Sequence, residues 1–272
     1  MPHLDLADGF RFYYETHGPK PSETSRTPIL FAHGAGGNAM SWWQQVPAFA
    51  DAYPIITFDH RAFGRSKDLD DGPGRLAFGP DIRALLDHLH VERVHLVAHS
   101  MGGRSAFGLL AREPGRFNSL VFSGTNAGCV DDRYRARKAA FETDGTLEGS
   151  LLRRALKDGF AAEDPAMAYL YARVRALNPK REPDFLAPTG RMMNYRGSTA
   201  SRLVESGLPI LWVVGEYDRV IPADLIRISH DLTPTSQFRL ISDAGHSTYF
   251  ERPHEWNHVV RGFLDEVEAR RA

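Results

Sequence analysis

Six short apolar runs, divided by stretches long enough for helices, constrain the fold of this 272-residue chain more than any other feature. They are PILFAHG (28–34), PIITFDH (54–60), RVHLVAHS (93–100), SLVFSG (119–124), PILWVVGEYD (209–218) and QFRLISDAGH (237–246). Most are continuously apolar rather than alternating, the pattern of parallel strands buried on both faces. Between them lie amphipathic stretches such as DIRALLDHLH, where Ile82, Leu85, Leu86 and Leu89 recur at helical spacing. Strand–helix alternation of this kind predicts an α/β protein with a mostly parallel sheet and helices on both faces. Ahead of it, HLDLAD and FRFYYETHG alternate in polarity around Asp8-Gly9, which predicts an opening hairpin.

The alternation stops between Thr125 and Gly207. Met167, Leu170, Tyr171, Val174 and Leu177 recur there at helical spacing, and no run reads as a strand. The expected organisation is an α/β core of residues 1–124 and 208–272 with a helical cap, 125–207, inserted in it. Because the insertion leaves after one strand and returns before the next, it is expected over the C-terminal strand ends, where open α/β sheets bind ligands.

Composition narrows the function classes. With a net charge of −1 and basic residues spread along the chain, no nucleic-acid or anionic-membrane surface is expected. No run approaches the roughly 18 apolar residues of a membrane span. The N-terminus has neither the basic start nor the apolar centre of a signal peptide, so the chain reads as cytoplasmic. Cys129 is the single cysteine, expected as a buried free thiol. His88, His90, His95 and His99 span a helix end and a strand and cannot converge easily, so no metal site is expected.

The chemistry is concentrated at RVHLVAHSMGGRSAFGLLA, residues 93–111. An apolar run leads into Ser100 and a helix-forming run leads out, the context of a strand–nucleophile–helix elbow, G-x-S-x-G. Ala98 stands where the first glycine is usual. It adds one methyl group, which a tight turn accommodates more easily than a branched side chain. A serine hydroxyl needs a base, and the base needs an orienting acid. Asp218 and His246 follow later apolar runs, in the chain order Ser, acid, His, and so are expected at the same sheet edge as Ser100. The glycine-rich turn HGAGG after an early strand is placed to supply backbone donors. Ala35 and Met101 are the expected oxyanion-hole donors. HGAGGNA lacks the lysine of a P-loop and the spacing of a dinucleotide fingerprint, so a phosphate loop is discounted.

Taken together, HGAGG, FDHRAFGRS, AHSMGG, GEYDRVIP and GHSTYFERP resemble the α/β-hydrolase family, in its serine-nucleophile branch with a helical cap. The likeness runs over essentially the whole chain. It implies an eight-stranded, mostly parallel sheet with one early antiparallel strand, and a cofactor-independent hydrolase. The departures are Ala98 in the elbow and Ala62, where D-x-R-G-x-G-x-S usually has glycine. His33, Asp59 and Arg61 match positions that brace loops in this family.

The expected substrate is a small, largely apolar carboxylic ester or lactone. C–C cleavage of a diketone-type ring-cleavage product and slow-turnover ligand reception are the alternatives. Asparagine usually precedes the nucleophile in C–C hydrolases, and His99 at that position counts against the first of these. Trp42, Met192, Met193 and Tyr195 are the candidate pocket residues. They are drawn from a wider set of large side chains, Met167, Tyr169, Tyr171 and Phe185 in the insertion and Trp43 in the first loop, of which those at helical spacing are equally expected in the core. The cap arginines Arg133, Arg135, Arg173 and Arg175 are expected to be solvated, the alternative being that they hold a substrate carboxylate. Oligomeric state is left open.

Overall fold

The computed structural model describes residues 2–180, 185 and 198–271. The strands are β1 (His3–Asp5), β2 (Arg11–His17), β3 (Ile29–Ala32), β4 (Ile55–Phe58), β5 (Val94–His99), β6 (Phe117–Ser123), β7 (Ile210–Gly215) and β8 (Gln237–Ile241). They form one eight-stranded sheet in the order β1-β2-β4-β3-β5-β6-β7-β8. From β4 to β8 all pairings are parallel; β2 runs antiparallel to both β1 and β4. The opening hairpin is therefore the antiparallel edge of a sheet whose six later strands coincide with the six apolar runs.

Successive side chains of a strand point to opposite faces, and both faces are covered here. Leu30, Ile56, Leu96, Leu120 and Trp212 pack with Ile82, Leu85 and Leu86 of helix α1 (Phe78–His88). Ile29, Phe31, Val97, Val121, Leu211 and Val213 pack on the other side. There they meet Trp256, Val260 and Leu264 of the C-terminal helix Pro253–Ala269. Two-sided burial is why these strands are apolar at every position rather than every second one. β8 at the sheet edge is the exception, with Arg239 and Leu240 exposed.

After β5 comes the short helix α2 (Met101–Ser105). Between β6 and β7 the described residues form helices and no strand. They include α3 (Asp132–Thr143), α4 (Pro165–Ala176) and α5 (Thr199–Ser206). Asp131, Asp164 and Ser198 start these three helices, each side chain accepting a backbone N–H from the first turn. No helix among the described residues is long and apolar enough to cross a membrane. Cys129 is buried and unbridged, and burial pushes its thiol up to about 12, far from a thiolate nucleophile.

Candidate active site

Between β5 and α2 the chain reverses at Ser100, which stands at φ 51° and ψ −115°. A side-chain-bearing residue at positive φ is strained and persists only where its surroundings fix it. Here the Ser100 N–H donates to the Ser123 carbonyl of β6 (3.0 Å), and the Gly103 N–H donates to the Ser100 carbonyl (3.1 Å). Bare backbone lets the turn close: a Cβ on Gly102 would lie 2.3 Å from the carbonyl oxygen of Ala32. Ala98 is placed differently. It is fully buried in extended β5, in register with Ala32 on β3 and Phe122 on β6. The small residue beside it leaves room for its methyl group.

His246 and Asp218 stand in the loops after β8 and β7. The carboxylate can only accept, so His246 Nδ1–H donates to Asp218 Oδ2 (2.8 Å), leaving Nε2 to accept from the Ser100 hydroxyl (3.0 Å). Asp218 is buried, and its other oxygen accepts the N–H groups of Val220 and Ile221, both at 2.8 Å. Glu216, two residues earlier, instead accepts the N–H of Asp243 at the surface.

The loop after β3 closes over Ser100 with a Gly37 N–H to Gly34 carbonyl turn. Ala35 of this loop, Ser100 and His246 line one cavity that is partly open to solvent. Met101 opens α2, where the first N–H groups have no partner within the helix. The loop is braced from below. His33 Nδ1–H donates to the Gly34 carbonyl (2.8 Å) and Nε2 accepts the His60 N–H (2.9 Å). Asp59 accepts the N–H groups of Ala39 and Arg65, both at 2.6 Å. His99, beside the nucleophile position, donates Nδ1–H to the Ser123 carbonyl (3.0 Å). Burial, with the neighbouring His246, holds it well below the usual imidazole range and neutral. This serine–imidazole–carboxylate line, with backbone donors around it, can carry out acyl transfer.

A family model of the alpha/beta hydrolase fold matches residues 27–253. The chain belongs to the α/β-hydrolase family. This hydrolase is 26% identical over 243 residues to 3-oxoadipate enol-lactonase 1 of Acinetobacter baylyi, covering 88% of this chain and 89% of that one. The solved structure of Est816, described as an N-acyl homoserine lactone degrading enzyme, matches at 28% identity and a TM-score of 0.73. That match covers 96% of this chain and 100% of the other. A thermophilic esterase from Thermogutta terrifontis shares the fold, with a TM-score of 0.76 at 22% identity over 98% of this chain and 99% of its own.

Two expectations about the hydrolase's pocket need correction. Trp42 does not line it. The indole is fully buried between Phe31 and Tyr249, at ring-centroid distances of 4.8 and 4.7 Å, and near Trp256 at 6.1 Å. It belongs to the core under the C-terminal helix, because its helical turn docks on the sheet rather than on the cavity. Nor are all the insertion's arginines solvated. Arg133 and Arg135 are surface residues paired with Asp131 and Asp132, and Arg173 is exposed. Arg175, however, is half-buried and lines the cavity. Met192, Met193 and Tyr195 lie outside the described residues.

Tyr171, one of the insertion's large side chains considered for the pocket from sequence, lines the cavity, and so does Tyr249, which sequence reasoning did not single out for it. The Tyr171 hydroxyl meets the Ser247 hydroxyl at 2.9 Å, tying α4 to the residue after His246. A signal existed: Tyr171 and Arg175 are four apart on a helix and so share a face.

Proposed function

We propose that this hydrolase cleaves a small carboxylic ester or lactone through an acyl-enzyme on Ser100. The observation that carries this reading is the unbroken hydrogen-bond path from Ser100 through His246 to Asp218, opening on a cavity. His246 Nε2 takes the hydroxyl proton as Ser100 Oγ attacks the carbonyl carbon. Asp218 holds the imidazole in the tautomer that accepts this proton and stabilises the imidazolium. The Ala35 and Met101 N–H groups receive the oxyanion. His246 then protonates the departing alkoxide, which in a lactone stays tethered to the acyl group. Finally it activates water to release the acid. The insertion 125–207, whose described residues form helices, serves as the cap over this site. The activities printed for the Acinetobacter baylyi enol-lactonase and for Est816 favour ester and lactone carbonyls as the class.

The test is covalent labelling with a fluorophosphonate, followed by peptide mass spectrometry and a screen of small esters and lactones. Label on Ser100 alone is expected. Ser100→Ala should lose labelling and about a million-fold in turnover while keeping the wild-type melting temperature. Turnover retained by that variant removes Ser100 from the chemistry.

A further inference from the structure

Arg175 is the feature of the cavity that ester or lactone hydrolysis alone does not use. It projects from α4, one turn beyond Tyr171, into the cavity that Ser100 and His246 line. The helix is fastened to the glycine-rich loop at this point. The Asn38 side-chain amide donates to the Val174 carbonyl (2.9 Å), and Asn178 donates to the Gly36 carbonyl (3.2 Å) while accepting the Gly64 N–H (2.9 Å). The guanidinium lies directly on Gly36: a Cβ there would be 2.5 Å from Arg175 Nη1. The guanidinium therefore rests against bare backbone at residue 36.

Other arginines of the molecule have carboxylate partners, among them Arg61, Arg133, Arg135, Arg137 and Arg219. Among the described residues no carboxylate pairs with Arg175, and none lines the cavity. His99 is neutral there, so Arg175 is the standing charge of the lining. Removing a guanidinium from water without a counter-charge is unfavourable. A cation carried on a helix end that three hydrogen bonds fasten to the neighbouring loops, and facing a ligand cavity, is built to be paired by the ligand. Its planar fork matches a carboxylate in two parallel hydrogen bonds.

We propose that the substrate carries a carboxylate besides its scissile carbonyl, and that Arg175 binds it. The substrate class is then the half-ester of a dicarboxylic acid, an ester of a hydroxy acid, or a lactone bearing an acid group. This departs from the largely apolar substrate expected from sequence, and it rests on Ser100 being the nucleophile.

Two matched pairs test it. Monoethyl glutarate against ethyl pentanoate places the charge on the acyl side. Sodium 4-acetoxybutanoate against butyl acetate places it on the alcohol side. In at least one pair the wild-type enzyme is expected to favour the carboxylate member at least tenfold in kcat/KM. Arg175→Gln should reduce that preference at least tenfold, chiefly through KM, and Arg175→Lys should restore part of it. A neutral preference in both pairs overturns the proposal. So does an equal loss for both members in Arg175→Gln, which is the signature of a structural or oxyanion-stabilising role. Fluorophosphonate labelling of Ser100 reads the underlying mechanism separately. If that labelling fails, glutarate binding by calorimetry still decides the anion site. Binding by wild type that weakens at least tenfold in Arg175→Gln supports it; absent or unaffected binding, or binding of inorganic phosphate in place of glutarate, overturns it.

Discussion

The two alanines that stand where the family pattern has glycine occupy different backbone conformations, and their substitution has opposite consequences. Ala62 lies at φ 68°, a left-handed conformation that costs a side-chain-bearing residue about 1–2 kcal/mol. Ala98 is in an extended strand with its methyl group fully buried. Ala62→Gly is therefore expected to stabilise the protein by roughly 1 kcal/mol after the greater chain entropy of glycine is counted. Ala98→Gly should cost about 0.5–1 kcal/mol with near-normal turnover, and Ala98→Val about 1–3 kcal/mol through overpacking against Ala32 and Phe122. Gly102→Ala differs from both. Its Cβ would collide with a backbone oxygen, which no side-chain rotation relieves, so the elbow must move and turnover should fall about a hundredfold. Urea denaturation and kcat for the four variants check the order; a harmless Gly102→Ala would show that the turn has slack.

The helical turn Thr248–Glu251 joins three segments through one carboxylate. Glu251 Oε2 accepts the N–H of Gly245, next to His246, at 3.1 Å, and the N–H of Lys157, from the helical insertion, at 2.8 Å. Its Oε1 is buried without a hydrogen-bond partner. Burial raises this carboxyl to about 6 against an ordinary 4.5. The folded protein therefore holds the proton more tightly than the unfolded chain. That contribution to stability is complete below about pH 4.5 and is lost as pH rises through about 6, a change of about 2 kcal/mol. Glu251→Gln removes the titration while keeping an acceptor for both N–H groups. Between pH 4.5 and 7.5 the wild type should lose about 2 kcal/mol relative to this variant, read from urea unfolding at each pH. Parallel profiles would place the proton elsewhere. Glu251 lies in the GHSTYFERP stretch, but no sequence pattern shows what its carboxylate holds, since its partners lie 6 and 94 residues away.

Across the whole molecule, Arg61 is the charge that joins the opening hairpin to the parallel sheet. The guanidinium is 1% exposed. It grips Asp81 of α1 with two hydrogen bonds of 2.9 Å, Asp68 with one of 3.1 Å, and Asp8 in the hairpin turn with one of 2.9 Å. Arg61→Met leaves Asp81 buried and unpaired and should destabilise the fold by about 3–5 kcal/mol. Arg61→Lys should recover little, because a single ammonium cannot reproduce the fork. The urea midpoint measures both; a midpoint unchanged in Arg61→Met would mean that the hairpin is held by apolar packing alone.

The sequence by itself determined the sheet, the elbow and the order of Ser100, Asp218 and His246 along one edge. Each depends on short-range patterns: apolar runs long enough for a strand, glycines where backbones touch, and loops that follow strand ends. Tertiary structure decided which side chains face the cavity. Trp42 turned into the core because its helical turn packs against Phe31 and the C-terminal helix. Arg175 turned inward because α4 is fastened by Asn38 and Gly36, both more than 130 residues away in sequence. A helix's own periodicity fixes which residues share a face, but the surface it docks on fixes where that face points.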